Sequence, residues 1–191
     1  MAKPALQPGD FLDDAKALGC EVIDIMTVAN VESKGYGFDP EDFPKTLFEG
    51  QWFHRFTNGK YDHSHPDLSY PKWDKKKYKD WRGEKERLAR AIALDREAAI
   101  KSASWGTFQI MGFNYEDCGC TDLQEFVNRM CGQSNDHLTM FTNLMLKWEL
   151  NAALAAHQWE VVAARYNGSG QVAYYADLMR KEFAKLLRSI K

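Results

Sequence analysis

The stretch "SASWGTFQIMGFNY", residues 102–115, decides how the chain is read. Gln109 stands between Phe108 and Ile110 in a run that is otherwise apolar. An amide taken out of water without a partner costs about 1–3 kcal/mol, so a plain core segment would not carry it there. Gly106 and Gly112 bracket the amide and permit tight turns and close approach of another backbone or a ligand. The stretch therefore lines something polar, and the rest of the chain has to say what.

Outward from this stretch, the chain is mostly helical by its apolar spacing. Leu12, Ala15, Leu18, Val22, Ile25 and Met26 predict a helix over 9–31, with Asp10 as its N-cap and a stop at Gly35, Gly37 and Pro40. Aromatic residues on both sides of Asn58-Gly59 in "TLFEGQWFHRFTNGKY", 46–61, predict short strands forming a hairpin. Residues 62–81 read as loop and 82–101 as one long helix. Leu123, Phe126, Val127 and Met130 predict a short helix capped by Thr121 or Asp122. A further helix starts near Ser134 and carries Leu138, Phe141, Leu144, Met145 and Trp148 on one face. Two short helices follow, broken near His157 and stopped by Gly168 and Gly170. The last helix, 172–190, is expected to bury Val172, Tyr175, Met179, Phe183 and Leu187. The fold class is mostly α, an α+β arrangement with a small β-hairpin lobe, in a single domain over 1–191 with no internal repeat.

Charge and composition exclude several partners. The 25 basic and 27 acidic residues leave a net charge of −2, which argues against a nucleic-acid binder. The run "KWDKKKYKDWRGEKER", 72–87, interleaves aromatics with lysines, but its acidic residues make it a solvated loop and helix start. The N-terminus has no apolar signal region and no window approaches the roughly 18 apolar residues of a membrane span, so the chain is expected to be made as a soluble cytosolic protein. Cys20, Cys118, Cys120 and Cys131 read as free thiols, and "DHSH" at 62–65 as a polar loop and not a metal clip. No metal or cofactor is expected, and nothing requires an oligomer, so the chain is taken as a monomer.

Two carboxyl groups stand out. Glu32 follows the apolar run "IDIMTVANV" and precedes a glycine-rich turn, so it lies at a helix C-terminus, where the macrodipole and apolar neighbours disfavour its ionised form. A carboxyl that keeps its proton near neutral pH is what a general acid needs. Glu49 sits in "TLFEGQWF", and on a strand it points away from the face that Phe48 packs into the core. Paired carboxyls are the requirement of glycosidic cleavage.

The order "ES" at 32, "SWGTFQIM" at 104–111 and "RYNGSG" at 165–170 resembles the lysozyme-like superfamily, including goose-type lysozymes and soluble lytic transglycosylases. With "LFEGQWFHRF", "HPDLSYP" and "ARYNGSGQ" added, the chain resembles the N-acetylmuramidase family of phage endolysins from about residue 20 onward. The resemblance implies a lysozyme-like helical domain whose β lobe flanks a cleft, with Glu32 as the catalytic acid and Glu49 as the second carboxylate. Ser104, Gln109, Met111 and Phe113 would line one wall of the cleft, with Trp105 beneath Gln109 or against a sugar. Ser104 would hydrogen-bond the catalytic carboxyl or cap the next helix. Tyr166 and Asn167 would approach from the other wall. Two departures are visible: Gln51 stands where the family commonly has histidine, and the residues before the first helix are too few for the peptidoglycan-binding domain that many members carry.

The implied activity is hydrolysis of the β-1,4 bond between N-acetylmuramic acid and N-acetylglucosamine. A lytic transglycosylase, which closes the muramyl 6-hydroxyl onto C1 and needs no second carboxylate, is the nearest rival, and a noncatalytic wall-binding or phage structural module the third reading. The partner implied is the peptidoglycan strand of a Gram-negative host. Without a signal segment, the enzyme would accumulate in the host cytoplasm and reach the periplasm through a holin-type pore. The amphipathic pattern of 172–190 fits either weak outer-membrane contact or a core-packing helix.

Overall fold

The structure, a computed structural model, describes residues 2–189. Its core is threaded by α7 (Ser134–Lys147), whose His137, Leu138, Met140, Phe141, Leu144 and Met145 are buried while Asn135, Thr139 and Leu146 face solvent. A helix with so wide a buried face must be covered by others on that side. Around it lie α1 (Leu12–Leu18), α2 (Val22–Ser33), α6 (Leu123–Met130), α8 (Asn151–Ala155), α9 (Trp159–Tyr166) and α10 (Val172–Ser189). The helix predicted over 9–31 is two helices. Gly19, at φ 66°, ends α1 in the left-handed region, and Glu21 opens α2 with a capping box shared with Asp24. Asp10 is not an N-cap: its carboxylate accepts the Gln7 N–H in the short 3-10 turn before α1.

The second lobe is built from β1 (Thr46–Phe48), α3 (Gly50–Phe56), α4 (Trp81–Leu94), α5 (Arg96–Lys101), β2 (Ala103–Trp105) and β3 (Ile110–Met111). The sheet is antiparallel in the order β1-β2-β3, with Leu47 opposite Ser104 and Trp105 opposite Ile110. The predicted hairpin around Asn58-Gly59 does not form. After β1 the chain turns into α3, because Phe48, Trp52, Phe53 and Phe56 recur at helical intervals. Asn58 and Gly59 do take positive φ, 52° and 72°, but they stop α3, with the Gly59 N–H donated to the His54 carbonyl at 2.8 Å. The hairpin of this fold is the opening stretch itself, β2 and β3 around residues 106–109. The helix predicted over 82–101 is also divided. Asp95 ends α4 and its carboxylate caps α5 through the Ala98 N–H.

One buried ion pair fixes the lobe. Arg87 donates to both oxygens of Glu84 at 2.9 Å and to the Phe48 carbonyl at 3.2 Å, while Glu84 accepts the backbone N–H groups of Phe48 and Lys79. The open edge of β1 is thereby closed by α4, and the carboxylate is left with no empty acceptor position. On the other side of the molecule, α10 packs against α9 and α2 through Ala176 and Met179. Leu187, predicted as buried, is 42% exposed, and Ile190 lies outside the described residues. All four cysteines are free thiols. Among the described residues, no helix is long and apolar enough to cross a membrane.

Candidate active site

Glu32 occupies the last turn of α2, ahead of Lys34 in the left-handed conformation at φ 62°. It lines a cleft of about 450 Å³ together with Val31, Lys34, Lys45, Leu47, Trp81 and Gln109. Burial pushes its pKa up to about 7, the largest influence on it. A hydrogen bond from Asn167 Nδ2 to Oε1, at 2.8 Å, acts in the opposite direction by favouring the charged form. Asn167 caps the C-terminus of α9, 135 residues further along, and its Oδ1 is buried with no partner. The Glu32 carboxyl and the amide that orients it thus come from opposite ends of the chain and meet only in the complete fold.

Glu49 is the N-cap residue of α3 rather than a strand residue. Its N–H is donated to the Ser102 carbonyl at 2.9 Å, which ties it to the end of α5. Its carboxylate accepts the Tyr78 hydroxyl at 2.7 Å and the Gln51 side-chain amide. Gln51, the departure from the family pattern, is therefore engaged with the carboxylate two residues before it. Glu32 lines the cleft and Glu49 does not; the half-buried Tyr175 hydroxyl has its pKa raised first by burial and then by the charge of Glu32, with Tyr174 and Glu49 adding to it.

The opening stretch places its polar groups in an unexpected way. Gln109 lines the cleft, at φ 48°, but its amide is largely occupied within the hairpin. Nε2 donates to the Gly106 carbonyl at 2.9 Å and to the Lys45 carbonyl at 3.3 Å, and Oε1 accepts the Ser104 hydroxyl at 3.0 Å. Ser104 neither reaches Glu32 nor caps a helix. One lone pair of Gln109 Oε1 is what remains for a ligand. Trp105 is a core residue, donating Nε1–H to the Ile100 carbonyl, and it is too deep to stack on a sugar. Gly112 is required by the Ile100 carbonyl, which would lie 2.0 Å from an added Cβ, and not by a ligand. Phe113 is half-buried against Trp52 and Phe56, while Met111 ends β3 opposite Ser104. Tyr166 gives its hydroxyl to the Phe108 carbonyl at 2.7 Å, joining α9 to the hairpin turn.

Residues 62–81, read from the sequence as loop, supply parts of the site that reading missed. Tyr78 holds Glu49, and Lys79 and Trp81 line the Glu32 cleft. Their signal was present in the aromatics at 73, 78 and 81 set among lysines, a pattern that composition alone assigns to solvent. His137 is a second omission. Its buried Nδ1 accepts the Thr107 N–H at 3.2 Å and its Nε2–H is donated to the Met130 carbonyl at 2.8 Å, so a neutral imidazole supports the turn that carries Gln109. Burial lowers its pKa, in keeping with that neutral form. In the "DHSH" segment, Asp62 is taken up by His54 and Ser69.

Residues 21–187 match the N-acetylmuramidase family. The chain belongs to that family. Among solved structures, this muramidase-family chain is similar to the crystal structure of the Burkholderia AP3 phage endolysin, with a TM-score of 0.84 and 29% sequence identity over 98% of this chain and 72% of the endolysin. No curated protein matches it. The lysozyme-like helical fold with a small sheet expected from the motifs is the fold this family member has.

Proposed function

We propose that this chain is a peptidoglycan hydrolase of the endolysin type, cleaving the β-1,4 bond between N-acetylmuramic acid and N-acetylglucosamine, with Glu32 as general acid and Glu49 as the second carboxylate. The observation that carries this reading is the state of Glu32: a cleft carboxyl whose proton is retained to about pH 7 and whose orientation is held by Asn167. A proton held at that pH is available to a leaving glycosidic oxygen. Glu49, oriented by Tyr78 and Gln51, supplies the negative charge that an oxocarbenium-like centre needs or the base that activates water. A second carboxylate, if it bears on the same bond, favours hydrolysis over transglycosylation, which needs none. The free lone pair of Gln109, with Met111 and Phe113 beyond it, would bear on the sugars from the hairpin side. The whole chain acts as one catalytic domain and a monomer. In an endolysin role it would be released to the wall of a Gram-negative host after membrane permeabilisation.

The deciding measurement is mass spectrometry of muropeptides released from Gram-negative peptidoglycan by the wild type beside Glu32→Gln. Fragments with reducible muramic acid ends, absent from the variant digest, are expected. Anhydro-muramic ends would make the chain a transglycosylase, and retention of activity by Glu32→Gln would remove the assignment of the acid. In the same assay the rate is expected to fall above about pH 7, as Glu32 loses its proton.

A further inference from the structure

Three lysines line the Glu32 cleft: Lys34 at the end of α2, Lys45 just before β1 and Lys79 just before α4. Among the described residues, none of the three has a carboxylate within salt-bridge distance. The acids on the same walls are already committed. Glu84 is taken by Arg87 and two backbone N–H groups, and Asp39 accepts the N–H groups of Glu41 and Phe43 and lies 3.9 Å from Lys85. Glu32 is neutral while it holds its proton. Lys45 is half-buried, its Nζ donating to the Ser33 carbonyl at 3.0 Å, and the nearby charge of Lys34 adds to burial in lowering its pKa. A half-buried lysine beside a second cation and without a counter-ion is unfavourable unless a ligand brings the opposite charge, and the exposed Lys34 and Lys79 stand at the same cleft.

The N-acetylated sugar rings of a glycan strand carry no charge that could fill this role. In peptidoglycan the acidic groups lie on the lactyl branch of the muramyl residue, as the lactyl carboxylate itself or as carboxylates of the stem peptide attached to it. We propose that Lys34, Lys45 and Lys79 form an anion-accepting subsite of the Glu32 cleft that takes a carboxylate borne on the muramyl lactyl branch. The subsite makes the cleft select for substituted muramyl residues over neutral glycan, with Trp81 beside it as a flat apolar face. This inference rests on the peptidoglycan reading above.

The test compares wild type with a Lys34→Asn, Lys79→Gln double variant on three substrates: strands bearing stem peptides, strands stripped of peptide so that the lactyl carboxylate is free, and stripped strands whose carboxylate has been converted to a neutral amide. Asparagine suits the left-handed backbone at residue 34, and both positions are exposed, so the fold is expected to persist by circular dichroism. The expected result is a preference of the wild type for acidic over amidated strands, expressed in KM, that falls about three- to tenfold in the variant, as for two partly exposed charge pairs. Loss of preference for stem-bearing strands identifies the peptide carboxylate, and loss for stripped strands identifies the lactyl one. A preference intact in both arms, or an equal rise of KM on all three substrates, overturns the proposal. Glu32→Gln on the same substrates separates the two readings: its continued activity would sink the acid assignment without touching the lysine comparison.

Discussion

Glu32 shows how one side chain couples function to stability. Its pKa is higher in the folded state, about 7, than the ordinary carboxyl value of 4.5, so the folded chain binds more protons than the unfolded chain between those values. Stability contributed at this site is therefore undiminished below about pH 4.5, falls as pH rises through the window, and stays low above about pH 7. Glu32→Gln removes the ionisation. The variant is expected to be inactive yet to melt higher than wild type at pH 8, by an amount on the order of 1–3 kcal/mol, with the difference closing toward pH 4. Thermal unfolding at the two pH values measures it; a difference independent of pH would mean that Glu32 is not desolvated as described. Glu32 was legible in the sequence because its signals are local: an apolar helix, its end, and the glycines after it. The duty of Gln109 was not. Its partners are Ser104, Gly106 and Lys45, and only the pairing of β1 with β2 brings Lys45 within reach.

At the scale of elements, the same distinction separates what periodicity predicts from what it cannot. Helices α6, α7 and α10 follow their apolar spacing because each buries one face against the core. The failure at residues 46–61 has a definite cause. Asn-Gly reports a tolerance for positive φ, which a hairpin turn and a helix stop both use, so the dipeptide says nothing about what it joins. The partner that β1 does find, Ala103–Trp105, is more than fifty residues away and leaves no mark in the local pattern. On its other edge β1 is gripped by the Glu84–Arg87 pair, invisible in a run that reads as solvated charge. Arg87→Met would leave Glu84 buried without its cation, and a loss of about 3–5 kcal/mol is expected in urea unfolding, partly recovered when Glu84→Gln is added. Because Arg87 also holds the Phe48 carbonyl, next to Glu49, the single variant should lose activity at temperatures where its helices remain formed.

At the scale of the whole molecule, the proposed site draws on three segments that are remote in sequence: the end of α2 with Glu32, the junction of β1 and α3 with Glu49, and the α9–α10 corner with Asn167, which reaches Glu32. The third depends on α10, whose inward face, Ala176 and Met179, is completely buried and whose Glu182 accepts a hydrogen bond from Asn30 of α2 at 2.8 Å. Placing a carboxyl and its orienting amide on elements 135 residues apart means that neither can be positioned by a partly folded chain. If the chain is one cooperative domain, loosening α10 must disturb the site and the fold together. Met179→Ala removes a fully buried side chain and is expected to cost about 2–5 kcal/mol. In urea, its transitions by far-ultraviolet circular dichroism, tryptophan fluorescence and residual peptidoglycan-cleaving activity should move down together, with midpoints that coincide. Activity lost at a lower urea concentration than the circular dichroism signal would instead show that the α9–α10 corner detaches first. Glu32 would then lose its orienting amide while most of the helices persist.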